Sequence, residues 1–425
     1  MASDRELPIV FREVRVVDVR NGRVGDPAQV VVRDGIIESI DAGGEVPAGA
    51  RVIAGEGRTL IPGLIDAHWH SLFAAAPLAL AMTGDVGFLH ILAATTARDT
   101  VLRGFTTVRD AGGPSFGLKQ AIDSGLVPGP RIFPSGAMIS QTGGHGDFRS
   151  RHEIPRGRAG QLSHAELVGA VRIADGVDAV FEAAREQLML GASQLKLMAG
   201  GGVASAYDPL DVTQYTEAEL RAAVDAAENW GTYVMVHAYT PRAVQQAIRA
   251  GVKCIEHGQL LDDDTVQLMA ENDVWWSLQP FLDDEDAIAV PPHSQAKFEQ
   301  MVVGTETAYE LARKHDVRVA WGTDTLFEPA LAAKQGKQLA KLTRWFSPAE
   351  VLAMATVTNA ELLALSGARN PYPGVLGVVE EGALADLILV NGNPLDDIQL
   401  LAAPETAFAL IMKQGDVVSD AGGFL

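Results

Sequence analysis

Eight short apolar runs recur along the middle of the chain, at TLIPGLIDA, GFTTVRDA, RIFPSG, SQLKLMA, YVMVHA, KCIEHG, VWWSLQP and VRVAWGTD. Helical patterns lie between many of them. Thr216-Glu217-Ala218-Glu219 has the form of a capping box opening a helix that runs to Trp230. Pro241 and Gly251 bracket a second helix. Eight strands with intervening helices over about 300 residues predict an α/β fold of the (β/α)8, TIM-like barrel type. In that architecture chemistry gathers at the carboxyl ends of the strands.

The two ends of the chain read differently. Residues 8–56 form short strand-like runs, and Asp34-Gly35 within VVVRDGIIESI is a hairpin signal. The tail, from GVLGVVEEGALADLILV to AFALIMKQGDVVSD, again gives short apolar runs broken by Gly, Asn and Asp. We expect a small β-sandwich domain built from residues 1–61 and 367–425, flanking a barrel over residues 62–366. Residues 137–180 are less regular and predict a loop and helix inserted after the third strand.

Composition excludes several classes. Apolar residues make up 47% of the 425, enough for a sizeable core. A formal charge of -20 opposes binding to nucleic acid or an anionic membrane surface. Cys254 stands alone, so no internal disulfide framework is available, which suits a reducing compartment. The start, MASDRELPIV, lacks a basic segment followed by an apolar one, and no apolar run spans a bilayer. As it stands the sequence reads as cytoplasmic; a leader trimmed beforehand would leave the same picture.

The run IPGLIDAHWH carries the first chemistry. On a strand, residues i and i+2 share a face, so His68 and His70 aim together while Trp69 packs on the other side. Two neutral imidazoles at a strand end can chelate a divalent metal such as zinc. Other strand ends supply matching groups: His237 ends YVMVH, His257 ends KCIEH and Asp324 ends VAWGTD. Lys196 lies in QLKLMAGGG, between Leu195 and Leu197. An ammonium beside metal ions would be repelled, whereas a lysine that has added carbon dioxide is an anionic carbamate able to bridge two cations. A plain lysine binding a substrate carboxylate is the alternative. Cys254, three residues before His257, is expected to face the other way and pack. The acidic runs at 262–264 and 283–286 read as a helix start and a solvated loop.

The pattern PGLIDAHWH, Lys196, His237, His257 and the GTD at 322–324 resembles the amidohydrolase superfamily of metal-dependent hydrolases, over the whole chain. ISQTGGHGD, KLMAGGGVAS, TPRAVQQAIRAGVKCIEHG and TNAELLAL are similar to the branch holding imidazolonepropionase-like proteins, Xaa-Pro dipeptidase-like enzymes and ochratoxin-hydrolysing amidases. The resemblance implies two divalent metal ions, zinc foremost. His68, His70 and Asp324 would hold one, His237 and His257 the other, and carboxylated Lys196 would bridge them together with a hydroxide. Asp324 would act as base and then acid. His145, in TGGHGD, and Tyr207, in ASAYDP, are candidates for binding substrate. The implied reaction is cleavage of an amide in an N-acyl amino acid or dipeptide-like small molecule, an ochratoxin-type aromatic acyl-phenylalanine among them. Hydrolysis of a cyclic amide, as in imidazolonepropionase, and a non-catalytic scaffold that has lost its metals are the competing readings. Related enzymes form homo-oligomers, octamers included, so self-association is expected.

Overall fold

The computed structural model describes residues 7–150, 152–153, 162–205 and 207–425. Its strands, in chain order, are β1 (Ile9–Asp18), β2 (Arg23–Arg33), β3 (Ile36–Asp41), β4 (Arg51–Ala54), β5 (Thr59–Pro62), β6 (Leu64–Trp69), β7 (Phe105–Asp110), β8 (Arg131–Pro134) and β9 (Met138–Ser140). They continue as β10 (Val171–Ile173), β11 (Leu195–Met198), β12 (Val234–Ala238), β13 (Cys254–His257), β14 (Trp275–Leu278), β15 (Val319–Trp321), β16 (Leu387–Val390), β17 (Phe408–Lys413) and β18 (Asp416–Asp420).

One sheet takes strands from both ends of the chain, in the order β18-β17-β16-β5-β1-β2-β3, with β4 on β1. The Asp34-Gly35 turn joins β2 to β3 with φ 51° and 77°, the pair of left-handed residues a tight hairpin requires. The run TLIPGLIDA does not form a single strand. It divides at Gly63, β5 pairing antiparallel with β16 and β6 parallel with β7. A side chain at Gly63 would meet Thr106 Oγ1 at 2.2 Å, so only glycine lets the chain cross between sheets there.

The middle of the chain is α/β with parallel strands, in two ladders: β6-β7-β8 and β10-β9-β11-β12-β13-β14-β15. Helices Val86–Leu102, Phe116–Asp123, Val177–Leu190, Glu217–Trp230, Pro241–Arg249, Asp263–Glu271 and Gln295–Lys314 separate successive strands. The expected capping box is present, Thr216 accepting from Glu219 N–H, and that helix ends at Trp230. Polar side chains stitch the edges of the ladders. The Asn359 amide donates to Ile65 O (2.7 Å) in β6 and Trp321 O (2.8 Å) in β15, and accepts from Trp321 N–H (3.1 Å). At the other edge Gln194 Nε2 donates to Phe133 O at 2.9 Å, and Ser193 N–H to Pro134 O at 2.7 Å.

Alternate side chains along the parallel strands separate into two clusters. Ile65, Ala67, Phe133, Met235, Cys254, Trp275 and Ala320 pack together on one face. Leu195, Leu197, Val234, Val236, Ile255 and Trp276 pack with helical residues such as Ala223 and Val244 on the other. Burying each large side chain contributes about 1.5–3 kcal/mol, which fixes the register of every strand that carries a site residue.

The segment 137–180 differs from expectation. It adds β9 and β10, three residues each, beside the helices His164–Leu167 and Val177–Leu190. Three residues are too few for an alternation to register in sequence. Residues 154–161 of that segment lie outside the described residues. Asp286, expected in a solvated loop, is 7% exposed and ion-paired with Lys334, whereas Asp262 caps its helix as expected by accepting from Thr265 N–H. No helix among the described residues is long and apolar enough to cross a membrane.

Candidate functional site

Five of the six candidate ligands sit at or just past the carboxyl end of a parallel strand; Lys196 differs from expectation as the second residue of β11, and each side chain but Asp324 is almost wholly buried. His68 and His70 both turn Nε2 toward Asp324 Oδ1, at 3.0 and 3.3 Å. His257 Nδ1 lies 3.8 Å from Asp324 Oδ2. The His257 ring is 5.1 Å from that of His68 and 4.5 Å from that of His237. Lys196 lies within electrostatic reach of His68, His237 and His257. It makes no hydrogen bond or close ion pair with any described residue, although it is only 2% exposed.

Two of these residues leave regular strand geometry. His257 has φ 75° and Asp324 φ 52°. Left-handed backbone at non-glycine residues costs about 1–3 kcal/mol and clusters at functional sites. The turn at His257 also corrects the expected direction of Cys254. Counting along an ideal strand places Cys254 opposite His257, away from the site. In fact Cys254 alternates with Glu256 and points to the inner face, its thiol 3.1 Å from Glu256 Oε1. It is His257 that leaves the alternation. Cys254 is fully buried, as expected.

Hydrogen bonds fix which ring nitrogen is free. His70 Nδ1–H donates to Gly112 O at 2.9 Å, leaving the Nε2 lone pair toward Asp324. His257 Nδ1–H donates to Gln279 Oε1 at 2.8 Å, leaving Nε2. His237 does the reverse: Nε2–H donates to Gly201 O at 3.0 Å and leaves Nδ1. Carbonyl partners of this kind hold a metal-binding imidazole in one tautomer.

The electrostatics separate these groups. Burial pushes His257 down to about 3, and burial with the neighbouring His145 and His257 pushes His237 well below the ordinary histidine range. Both rings are therefore neutral at pH 7, the form that ligates. Burial also disfavours a charged His68, but Asp324 and Glu256 outweigh it and raise this ring. Burial opposes the Asp324 carboxylate, yet His68 and His257 hold it well below the usual range. Burial lowers the Lys196 amine against the pull of Glu256 and Asp324.

The donor set suits a divalent cation. His68, His257 and Asp324 each offer one ligand atom, all within 4.8 Å of one another. Both His68 ring nitrogens lack an aligned hydrogen-bond partner despite full burial, a cost a ligand would remove.

The candidate substrate residues divide. His145 stacks on His237 with ring centroids 4.1 Å apart, and its Nδ1 lies 3.0 Å from Ser205 Oγ and 3.8 Å from Asp208 Oδ2. Tyr207 is 41% exposed on the same loop. Its neighbour Asp208, buried and accepting from Gly202 N–H at 2.8 Å, approaches His145 together with Ser205 of the same loop. Lys297 clamps this loop, donating to the carbonyls of Gly202, Ser205 and Asp208 at 2.7–3.0 Å.

Sequence reasoning missed Asp208, Lys297, Gln279, Arg109 and Glu256. For the last two a signal existed. FTTVRDA places Arg109, beside Asp110, inside an otherwise uncharged strand, and KCIEHG places Glu256 in another; buried charges need partners.

Comparison with known proteins identifies the family. The amidohydrolase family profile matches residues 59–419. The ochratoxinase of Aspergillus niger is 30% identical over 337 residues, spanning 76% of this chain and 67% of the relative. Its crystal structure superposes with TM-score 0.84 at 26% identity, covering 98% of this chain and 96% of that one. A prolidase complexed with N-methylphosphonate-L-proline superposes with TM-score 0.89 at 35% identity, covering 97% and 100%. A Xaa-Pro dipeptidase with methionine bound in its active site gives 0.84 at 28% identity, covering 96% and 99%.

Proposed function

Because the chain belongs to the amidohydrolase family, we propose that it is a binuclear metal-dependent hydrolase cleaving the amide bond of N-acyl amino acids or dipeptide-like substrates. It is a hydrolase acting on carbon–nitrogen bonds. We read its two parallel ladders as a TIM-like barrel stitched at two edges by Asn359 and Gln194. The observation that carries the metal reading is Lys196: a buried amine with no close anion among the described residues, within electrostatic reach of three imidazoles. Carboxylation would convert it into the anionic bridge that His237 and His257 lack. Burial favours the neutral amine, the form that adds carbon dioxide.

When bound, two divalent cations, zinc foremost, would lower the pKa of a shared water and polarise the scissile carbonyl. His68, His70 and Asp324 would hold one, His237 and His257 the other, with Lys196 between. The protein's own part is proton handling and exclusion of water. Asp324, ionised and 16% exposed, accepts the proton of the attacking water and returns it to the leaving nitrogen. His145, stacked on His237 and backed by Asp208, is a hydrogen-bonding group for the substrate. Relatives named ochratoxinase, prolidase and Xaa-Pro dipeptidase share one demand, an acyl group on the nitrogen of an amino acid. Ochratoxin A, an aromatic acyl-phenylalanine, therefore belongs in the first test set.

The test is hydrolysis of N-acyl amino acids, dipeptides, ochratoxin A and a lactam, with and without chelator, alongside metal analysis. Linear amides should be cleaved, and chelation should abolish turnover until metal is restored. Chelator-insensitive turnover would sink the metal reading; cleavage of the lactam alone would replace the substrate class.

A further inference from the structure

Beneath the cluster lies a charged pair that the proposed reaction does not use. Arg109 in β7 and Glu256 in β13 are both fully buried, with Arg109 Nη2 2.6 Å from Glu256 Oε1. Arg109 also donates through Nε to Ala67 O and through Nη1 to Tyr233 Oη at 3.2 Å. The guanidinium thus grips the backbone of β6 one residue before His68. The second carboxylate oxygen, Glu256 Oε2, lies 2.7 Å from His68 Nδ1; the contact is close without being aligned as a hydrogen bond, and neither atom has another partner among the described residues.

We propose that Glu256, anchored by Arg109, is the positioning residue for His68: it keeps the proton on Nδ1 and so presents the Nε2 lone pair to the cation site beside Asp324. This rests on the metal reading given above. His70, His237 and His257 have their non-ligating nitrogens fixed by carbonyl acceptors. Among the four, His68 alone is given a carboxylate. An ionised carboxylate only accepts, so without a cation Glu256 and Asp324 each favour hydrogen on the His68 nitrogen they face; a cation at Nε2 would displace the proton on the Asp324 side, and Glu256 retains the one on Nδ1. Arg109 makes the arrangement one-directional, because a guanidinium only donates and keeps its protons. It also balances a charge that would otherwise be costly to bury.

The same logic predicts what Glu256→Gln does. The amide has one accepting and one donating end. Arg109 claims the oxygen, which turns the NH2 toward His68 Nδ1. The ring must then accept there and move its proton to Nε2, which removes the lone pair from the cation site. The readout is the tautomer of His68 by 15N NMR of histidine-labelled protein, assigned with His68→Gln, together with cobalt titration of apoprotein followed by visible absorption. Wild type should show His68 protonated at Nδ1 and take up two cobalt ions. Glu256→Gln should show the proton on Nε2, bind one ion about 10- to 100-fold more weakly, as loss of such an outer partner typically does, and give a changed spectrum.

A purely structural pair would alter thermal unfolding but leave the cobalt spectrum and tautomer as in wild type, and that result overturns the proposal. Should Glu256→Gln fail to fold, wild type decides alone, since a bare Nδ1 on His68 refutes it. If wild type binds no cobalt, the metal reading has failed and this inference falls with it. If wild type binds two ions and Glu256→Gln binds them equally well, the metal reading survives and only this inference is lost.

Discussion

The two halves of the site are built on different principles. Around β6 and β15, His68 and His70 close on Asp324 at 3.0–3.3 Å, and the carboxylate raises the charge-bearing capacity of His68. Around β11, β12 and β13 there are two imidazoles and an amine. His237 and His257 are forced neutral by burial, and Lys196 has no close anion. Among the candidate ligands, the first half contains its own carboxylate, whereas those of the second are two neutral imidazoles and an amine. Under the proposed two-metal reading such a site would be unbalanced, and a carboxylated Lys196 would supply an anion to the second half, where the first already has Asp324.

Breaking the second half should therefore have the largest effect. Lys196→Ala is expected to lower kcat/KM roughly a thousandfold or more, the equivalent of the several kcal/mol that metal catalysis contributes. Bound metal should fall below two equivalents, and a short carboxylic acid such as propionate should restore part of both by occupying the space. Steady-state kinetics and metal analysis decide it. Full activity and full metal content in Lys196→Ala would erase the asymmetry between the halves.

Much of this was legible beforehand, and what was not has a physical cause. The six side chains could be found because strand ends recur and a lone polar group after an apolar run stands out, as with His237 after YVMV. The Asp34-Gly35 hairpin and the Thr216 cap were readable because turn and cap chemistry is local. The division of TLIPGLIDA between two sheets was not, since pairing of β5 with β16 is decided by residues more than three hundred positions away. Nor was the direction of Cys254, because period-two counting assumes extended backbone and His257 departs from it. Glu256 and Arg109 are ligands of nothing in sequence; only packing of β7 against β6, and β13 across from them, makes them partners.

The charge contrast also sets a pH dependence for the metal-free protein. His257 titrates at about 3 in the fold, and His237 is likewise held low, against about 6.5 for an unfolded histidine. Between those values the unfolded chain binds more protons, so stability falls as pH drops below about 6.5. Each ring that stays neutral contributes a loss on the order of 2 kcal/mol between pH 7 and 5. His68, raised by its carboxylates, works in the opposite direction and offsets part of it. Asp324 and Glu256 are held low and lose their stabilising effect only below the usual carboxylate range, outside this window. Denaturant melts of apoprotein at pH 7 and 5 should show the loss, and His257→Gln should reduce it. An equal slope in wild type and His257→Gln would mean that the second half is not held neutral.

The smallest expected effect separates two residues on two different loops, His145 after β9 and Tyr207 after β11. His145 stacks on His237 and lies within reach of Ser205 and Asp208, so it is tied to the half of the site that lacks an anion. If it hydrogen-bonds the substrate, His145→Ala should raise KM about five- to tenfold, the worth of one ordinary hydrogen bond, with kcat less affected. Tyr207 is 41% exposed, and the inward position on its loop belongs to Asp208. Tyr207→Phe is therefore expected to change KM less than His145→Ala does. The order matters more than the sizes. A larger effect at Tyr207 would mean that substrate binding draws the loop inward past the position held by Lys297, and that the polar wall of the site is assembled only around its ligand.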